Sequence, residues 1–273
     1  MQLNCKIVKH GVCIIIGILF LLLALFVSYV AIHYYSISLQ GGSTLHVFKA
    51  SSINNRKKAI MILPGGGYSS LAKGNEGYLW IPFLHRLGFT VAILDYRMPH
   101  HDYRIPKFDA TNAIIALRKR ANDLDFSKNG IGLMGFSAGG HLASTMMVLD
   151  DNDIRPDFVL LFYPVVSMRK ELTHLGSHDN LMGISASKEI EYQFSNELHI
   201  KRNNPPVFIA VSKDDSVVNP LNSILLYNEM KKKGRSVSLH IYPKGGHGWG
   251  YRNKFPYRDQ MVENMTNWLD SLD

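Results

Sequence analysis

Cysteine is almost missing from this chain. Of its 273 residues only Cys5 and Cys13 carry thiols, both near the start. Everything beyond them therefore has no disulfide framework, no thiol nucleophile and no cysteine-based zinc site, and is indifferent to the redox state of its surroundings. Long charge-free stretches are scarce as well. The run Gly11–Ile32 holds 22 residues without a charged side chain and is the one stretch that could cross a bilayer, which argues against a polytopic membrane protein. Internal repeats and low-complexity linkers are absent too. Acidic residues are outnumbered, 22 against 30 Lys and Arg, for a net charge of +8. The basic clusters Arg56-Lys57-Lys58, Arg118-Lys119-Arg120 and Lys231-Lys232-Lys233 are nevertheless short, scattered and free of interleaved aromatics. They read as solvated helix ends and loops, not as a nucleic-acid footprint.

What is present divides into a leader and linker, residues 1–40, and a body, residues 41–273, long enough for one sizeable core. As a helix the apolar run would span about 33 Å, the thickness of a hydrocarbon core. A secretory signal would be cut after Ala31, where Tyr29 at the −3 position fits poorly, so an uncleaved signal anchor is the favoured reading and a cleaved signal peptide the alternative. Lys6 and Lys9 precede the run, and Lys49 is the first lysine or arginine after it. The positive-inside rule then places the body outside the cytoplasm, periplasmic or secreted, with residues 11–32 as its membrane anchor.

The body alternates apolar, β-rich runs with stretches of helical period. Strands are expected at Leu45–Phe48, Ala59–Leu63, Thr90–Asp95, Gly130–Met134, Phe158–Phe162, Val207–Val211 and Ser236–Ile241, and helices at Tyr78–Arg86, Phe108–Ala121, Ala138–Leu149, Leu221–Lys232 and Arg258–Leu272. This alternation implies an α/β fold, a mostly parallel sheet covered by helices on both faces. The stretch Val165–Pro206 reads as irregular and is too long for an ordinary loop, which marks a functional insertion or partial lid.

GFSAGG, Gly135 to Gly140, stands directly between an apolar strand and a helix. A G-x-S-x-G turn in that position projects the Ser137 hydroxyl above a sheet and aims a helix N-terminus at it. Serine is a weak nucleophile at neutral pH, so it needs a general base, and the base an orienting carboxylate, in the chain order Ser, acid, His. Of the twelve histidines, His199, His240 and His247 come late enough. His247 lies in GGHGWG, whose glycines let a loop return over the strand ends, whereas His240 lies within a strand and His199 precedes the acidic loop. After the strand at Val207–Val211 the chain reads Ser212-Lys213-Asp214-Asp215-Ser216-Val217-Val218. Either aspartate could reach the imidazole; Asp215 is favoured and Asp214 is read as a capping or solvated neighbour. Acyl transfer also needs N–H donors for a tetrahedral oxyanion. The amide of Ala138 and those of Gly66 and Gly67 in LPGGGY are the candidates. A phosphate cradle is disfavoured because no Lys-Ser/Thr pair follows these glycines.

Taken together, PGGGY, Glu76-Gly77, LDYR, GFSAGGHLAS, FYPVVS, NLMG, SNELHI, PPVFIAVSKDDSVV and GGHGWG, in this order from about Ala59 to Trp268, resemble the carbohydrate-esterase branch of the α/β-hydrolases, which includes acetylxylan esterases of polysaccharide-degrading bacteria. The resemblance implies an α/β-hydrolase fold, which here follows the N-terminal transmembrane or signal helix read from the apolar run. It also implies a serine esterase that removes acetyl groups from plant-type glycans with Ser137, Asp215 and His247 as its triad, needing no cofactor or metal. One departure is that Leu63-Pro64 stands where a related lipase-like branch has His-Gly.

Three residues near the expected mouth, Tyr68, Glu76 and Trp249, are candidate sugar contacts, though packing explains Trp249 equally well. His174 and His178 lie in the insertion, where contact with substrate or a plain surface role are both open. Pro99-His100-His101-Asp102 makes a poor metal cluster because adjacent histidines point apart. Fold and triad do not fix a substrate: a peptidase, an amidase, a thioesterase or another carboxylesterase such as a feruloyl esterase would share them. A non-catalytic binding module would be expected to lack a triad member, and none is lacking.

Overall fold

A computed structural model describes residues 34–51 and 53–272; the apolar run Gly11–Ile32 lies outside them. The chain divides into two units, 1–35 and 36–273, of which the second is by far the larger and carries the candidate site. The strands are β1 (Tyr34–Ser38), β2 (Thr44–Phe48), β3 (Ala59–Leu63), β4 (Thr90–Asp95), β5 (Ile131–Phe136), β6 (Phe158–Phe162), β7 (Val207–Ser212) and β8 (Val237–Tyr242). The helices are α1 (Ile81–Arg86), α2 (Arg104–Lys119), α3 (Ser137–Met147), α4 (Leu175–Met182), α5 (Lys188–Gln193), α6 (Leu221–Lys232) and α7 (Arg258–Asp270).

The strands form one sheet in the order β1-β2-β4-β3-β5-β6-β7-β8. β2 runs antiparallel to β4, and β4, β3, β5, β6, β7 and β8 are parallel in succession. Strands buried on both faces read as continuous apolar runs because each alternate side chain serves a different core. Ala59, Met61, Leu63, Leu133, Val159, Leu161 and Ile209 pack with α2, α3 and α6 on one face. Ile60, Ile62, Met134, Leu160, Phe162 and Phe208 pack with α1 and α7 on the other. The chain leaves β3 for β4 on one side and returns to β5 on the other. The loops after β3 and β5 therefore part over the carboxyl ends of two adjacent strands, which is where such sheets open a crevice.

Two expectations need correction. β1 lies on residues assigned to the linker and was not expected as a strand. The stretch Val165–Pro206 is not irregular, for it holds α4, α5 and a 3-10 turn at Asn196–His199. α4 starts where the His174 ring accepts the Ser177 amide, and α5 where Ser187 accepts that of Ile190. Nor is the stretch loosely attached. Asn222 Oδ1 accepts the amides of Val166 and Ser167 at 3.0 Å, and the Asn196 amide donates to Ser144 Oγ at 2.8 Å.

Within α3 lies a buried imidazole. His141 Nε2 donates to the Phe194 carbonyl at 2.8 Å, so Nδ1 accepts from the Tyr68 hydroxyl at 2.9 Å. Burial pushes this histidine down to about 4, against a smaller opposing effect of the carbonyl. An unfolded histidine protonates near 6.5. The unfolded chain therefore binds the extra proton first, and the stability from His141 is complete above that pH and lost as pH falls toward 4, by at most about 3 kcal/mol. His174 and His240, also lowered by desolvation, add to the same slope. The melting temperature should fall steadily between pH 6.5 and 4.5, and the slope should flatten in His141→Gln. An equal slope in the variant would show that the imidazole is not responsible.

Candidate active site

Ser137 is the first residue of α3 and follows β5 without a connecting loop, which forces it to φ +50°. That left-handed conformation in a non-glycine residue is strained and persists only where the surroundings over-determine it. Two glycines make the turn possible. A Cβ at Gly139 would fall inside the contact distance of the Leu63 carbonyl oxygen and 2.5 Å from that of Pro64, so α3 rests directly on the end of β3. A Cβ at Gly135 would stand 2.7 Å from Ala143 Cβ, inside α3. Ala138, second in α3, has a first-turn amide with no intrahelical acceptor.

Two loops from the far side of the sheet complete the arrangement. After β7, Asp215 turns its Oδ1 back to accept the amides of Val217 and Val218, both at 2.9 Å, which leaves Oδ2 at 2.7 Å from His247 Nδ1. After β8, the loop through His247 places Nε2 at 2.9 Å from Ser137 Oγ. Asp214 points elsewhere: its Oδ1 accepts the Gly246 amide at 2.8 Å, and that N–H holds the exposed carboxyl below its ordinary range. Asp214 shapes the histidine loop, and Asp215 contacts the ring. A serine hydroxyl on an imidazole whose other nitrogen faces a carboxylate can lose its proton to Nε2 as it attacks a carbonyl.

The loop after β3 runs beside the serine. A Cβ at Gly65 would lie 3.0 Å from Ser137 Cβ. Its own amide is committed to Glu76 Oε2 at 2.8 Å; the amides of Gly66 and Gly67 have no acceptor among the described residues. Where a His-Gly support would stand, the Tyr96 hydroxyl donates to the Pro64 carbonyl at 2.6 Å. Asn180, from α4, donates to the Gly67 carbonyl at 2.8 Å. The His174 ring faces the same glycine, 3.8 Å from where its Cβ would be, and desolvation and the nearby His247 both hold this imidazole low.

The three expected sugar contacts are corrected, because none is open to a ligand. Tyr68 is spent on His141. Trp249 donates to Ser212 Oγ and stacks on Phe255 at 4.1 Å, within the core. Glu76 is buried between Gly65 and Tyr163. His178 is likewise enclosed between Asp179 and Glu191, at 2.7 and 3.2 Å. His101 Nδ1 meets the Asp179 carbonyl, which ties that segment to α4, and no cluster of three or more metal-ligating side chains exists among the described residues. Tyr163, at φ +37° directly after β6, was not foreseen; the FYP triplet at a strand's carboxyl end was its only trace.

The BD-FAE family model matches residues 45–230. The chain belongs to this family. Among its relatives, the acetylxylan esterase of Xylanibacter ruminicola is 37% identical over 223 residues, 80% of this chain and 46% of that protein. The endo-1,4-beta-xylanase B of Butyrivibrio fibrisolvens is 32% identical over 210 residues, 71% of this chain and 32% of that one. The chain thus spans less than half the length of these curated relatives. Among solved structures, the acetyl ester-xyloside bifunctional hydrolase of Caldicellulosiruptor lactoaceticus superposes with a TM-score of 0.79 at 31% identity, covering 85% of this chain and 89% of that one. The fold is that of the α/β-hydrolases, with a mostly parallel sheet and flanking helices.

Packing at the turn gives a direct check. Gly139→Ala should cost about 3 kcal/mol or more in urea unfolding, because a backbone carbonyl cannot move aside as a side chain can. Gly74→Ala, where a Cβ meets nothing within 4 Å, should stay within about 0.5 kcal/mol of the parent. Equal stability of the two variants would mean that α3 does not rest on β3 as described.

Proposed function

We propose that this chain is an exported serine esterase that removes acetyl groups from acetylated xylan or xylo-oligosaccharides. The observation that carries the proposal is the pair of contacts on His247, to Asp215 at 2.7 Å and to Ser137 at 2.9 Å, beside uncommitted amides. In this reading His247 Nε2 takes the Ser137 proton as Oγ adds to the acetyl carbonyl. The tetrahedral oxyanion is met by the amides of Ala138, Gly66 and Gly67. The imidazolium then returns its proton to the sugar oxygen as the C–O bond breaks, leaving an acetyl-serine. Water, activated by the same nitrogen, releases acetate and restores the hydroxyl.

The substrate class draws support from two relatives whose names specify acetylxylan and acetyl ester-xyloside. The surroundings agree with it. Backbone close to Ser137 crowds the acyl side, where a few extra methylenes cost about 1–3 kcal/mol. His174 and Asn180 bring polar groups over the glycine loop, suited to a hydroxylated leaving group. Export is supported by Lys6 and Lys9 ahead of the apolar run, with residues 1–40 as leader and linker and 11–32 as the membrane tether. Among the described residues no helix is long and apolar enough to cross a membrane.

The whole 273-residue chain should release acetate from acetylated xylan and cleave short p-nitrophenyl esters, leaving chains beyond about eight carbons almost untouched. Ser137→Ala should abolish this. Asp215→Asn should lose about four orders of magnitude in turnover, and Asp214→Asn less than about tenfold. Prompt release of ferulate or cleavage of peptide bonds without deacetylation would replace the substrate class. Undiminished activity in Ser137→Ala would remove the mechanism.

A further inference from the structure

The residue the site leaves unexplained is Glu76. The residue is 3% exposed, and no ion pair reaches its carboxylate among the described residues. Burial raises its pKa above the usual carboxylate range, against the pull of its hydrogen bonds and of the charges on His247 and Arg252. A buried carboxylate without a partner charge is costly and calls for a reason.

Its neighbours supply one. Oε2 accepts the Gly65 amide at 2.8 Å, and a Cβ at Gly65 would stand 2.7 Å from that oxygen and 3.0 Å from Ser137 Cβ. Carboxylate and serine therefore flank the same backbone carbon. Oε1 accepts the Tyr163 hydroxyl at 2.8 Å. The Tyr163 oxygen in turn accepts the Gly250 amide at 2.9 Å, so the one phenolic proton belongs to Glu76. The ring of Tyr163 lies 4.7 Å from that of His247. A Cβ at Gly248, next to His247 in the chain, would lie 3.9 Å from Oε1. Both contacts of Glu76 are donors, and no acceptor stands ready for a carboxyl proton, so the network fits the anion.

We propose that Glu76 is a positioning residue for the same site. Acting through Gly65 and Tyr163, it joins the glycine loop to the histidine loop, and its negative charge stabilises the imidazolium of His247 in addition to that of Asp215. The proposal rests on the serine-hydrolase reading, in which His247 gains a proton as the tetrahedral intermediate forms. Burial without a counter-cation leaves the field of the carboxylate weakly screened, so it reaches the ring over a longer distance than a surface charge would. The groups facing His247 are Ser137, Asp215, Tyr163, His174 and Glu76; those facing Glu76 are Tyr163, Tyr96, His247 and Arg252.

The decisive variant is Glu76→Gln, which keeps the shape and removes the charge. Activity on a short p-nitrophenyl ester is followed against pH in the whole chain, with site concentration counted by a fluorophosphonate label. Expected are a kcat about tenfold lower, KM within about twofold, and an acid limb of kcat/KM displaced to lower pH by about half a unit to one unit, because an imidazolium without its second anion gives up its proton more readily. A role in packing alone would lower kcat or the number of labelled sites and leave the limb where it was, and that result overturns the proposal. If Glu76→Gln yields no labelled sites, Tyr163→Phe decides instead. It cuts the hydroxyl bridge but keeps the carboxylate charge, so turnover should fall with the limb unmoved or displaced upward; a downward displacement overturns the proposal. Ser137→Ala runs alongside. Full activity there would sink the parent reading, whereas a stationary limb in Glu76→Gln with an inactive Ser137→Ala sinks only the role given to Glu76.

Discussion

Everything at the carboxyl end of the sheet depends on one close approach, that of α3 to the end of β3. The helix can begin on the last residue of a strand only if its first turn lies against the backbone of the neighbouring strand, and Gly139 against the carbonyls of Leu63 and Pro64 is that contact. The strain at Ser137 follows from it, and so does the direction of the uncommitted Ala138 amide. The glycine loop begins at the same carbonyls. Loosening this contact would therefore disturb the Ser137 turn and the glycine loop together.

The polar arrangement around it is layered. Ser137, His247 and Asp215 form the inner chain. Behind them stand groups whose partners are mostly backbone: Tyr96 on Pro64, Glu76 on Gly65, Asn180 on Gly67, Asp214 on Gly246 and Tyr163 on Gly250. Side chains that hold backbone atoms fix the path of a glycine-rich loop without filling the space in front of it. That is how loops made of the most permissive residue keep a defined shape.

Much of this was legible in the sequence. The parallel strands β3 to β7 were found because double burial leaves no polar residue in their interiors; β8, only partly buried and holding Ser238 and His240, was found by its β-rich composition. β3, β4 and β6 have the bounds of the apolar runs. Chain order and strand ends singled out Ser137 and His247 and left Asp214 and Asp215 both within reach; the contacts of the two carboxylates then differ, Asp215 on the His247 ring and Asp214 on the Gly246 amide. What escaped was whatever depends on where a side chain points. Tyr68, Glu76 and Trp249 have the residue types of a sugar site, and the same types serve a buried polar layer; only burial tells them apart. α4 and α5 escaped because eight and six residues are too few to show a helical period. Their starts are marked by a histidine and a serine, and histidine is an unusual cap.

The order of the strands also has a consequence in time. The loops that meet at Ser137 are drawn from sequence positions as far apart as Asn75 and Gly248, joined by a hydrogen bond at 3.0 Å, and such long-range closures are slow relative to helix formation. A growing chain that has completed α3 already carries its serine, yet lacks both the imidazole and the loop that shapes it until β8 has docked. The hydrogen-bonded chain from Ser137 through His247 to Asp215 is thus closed only when the final strand and the loop beyond it have taken their places.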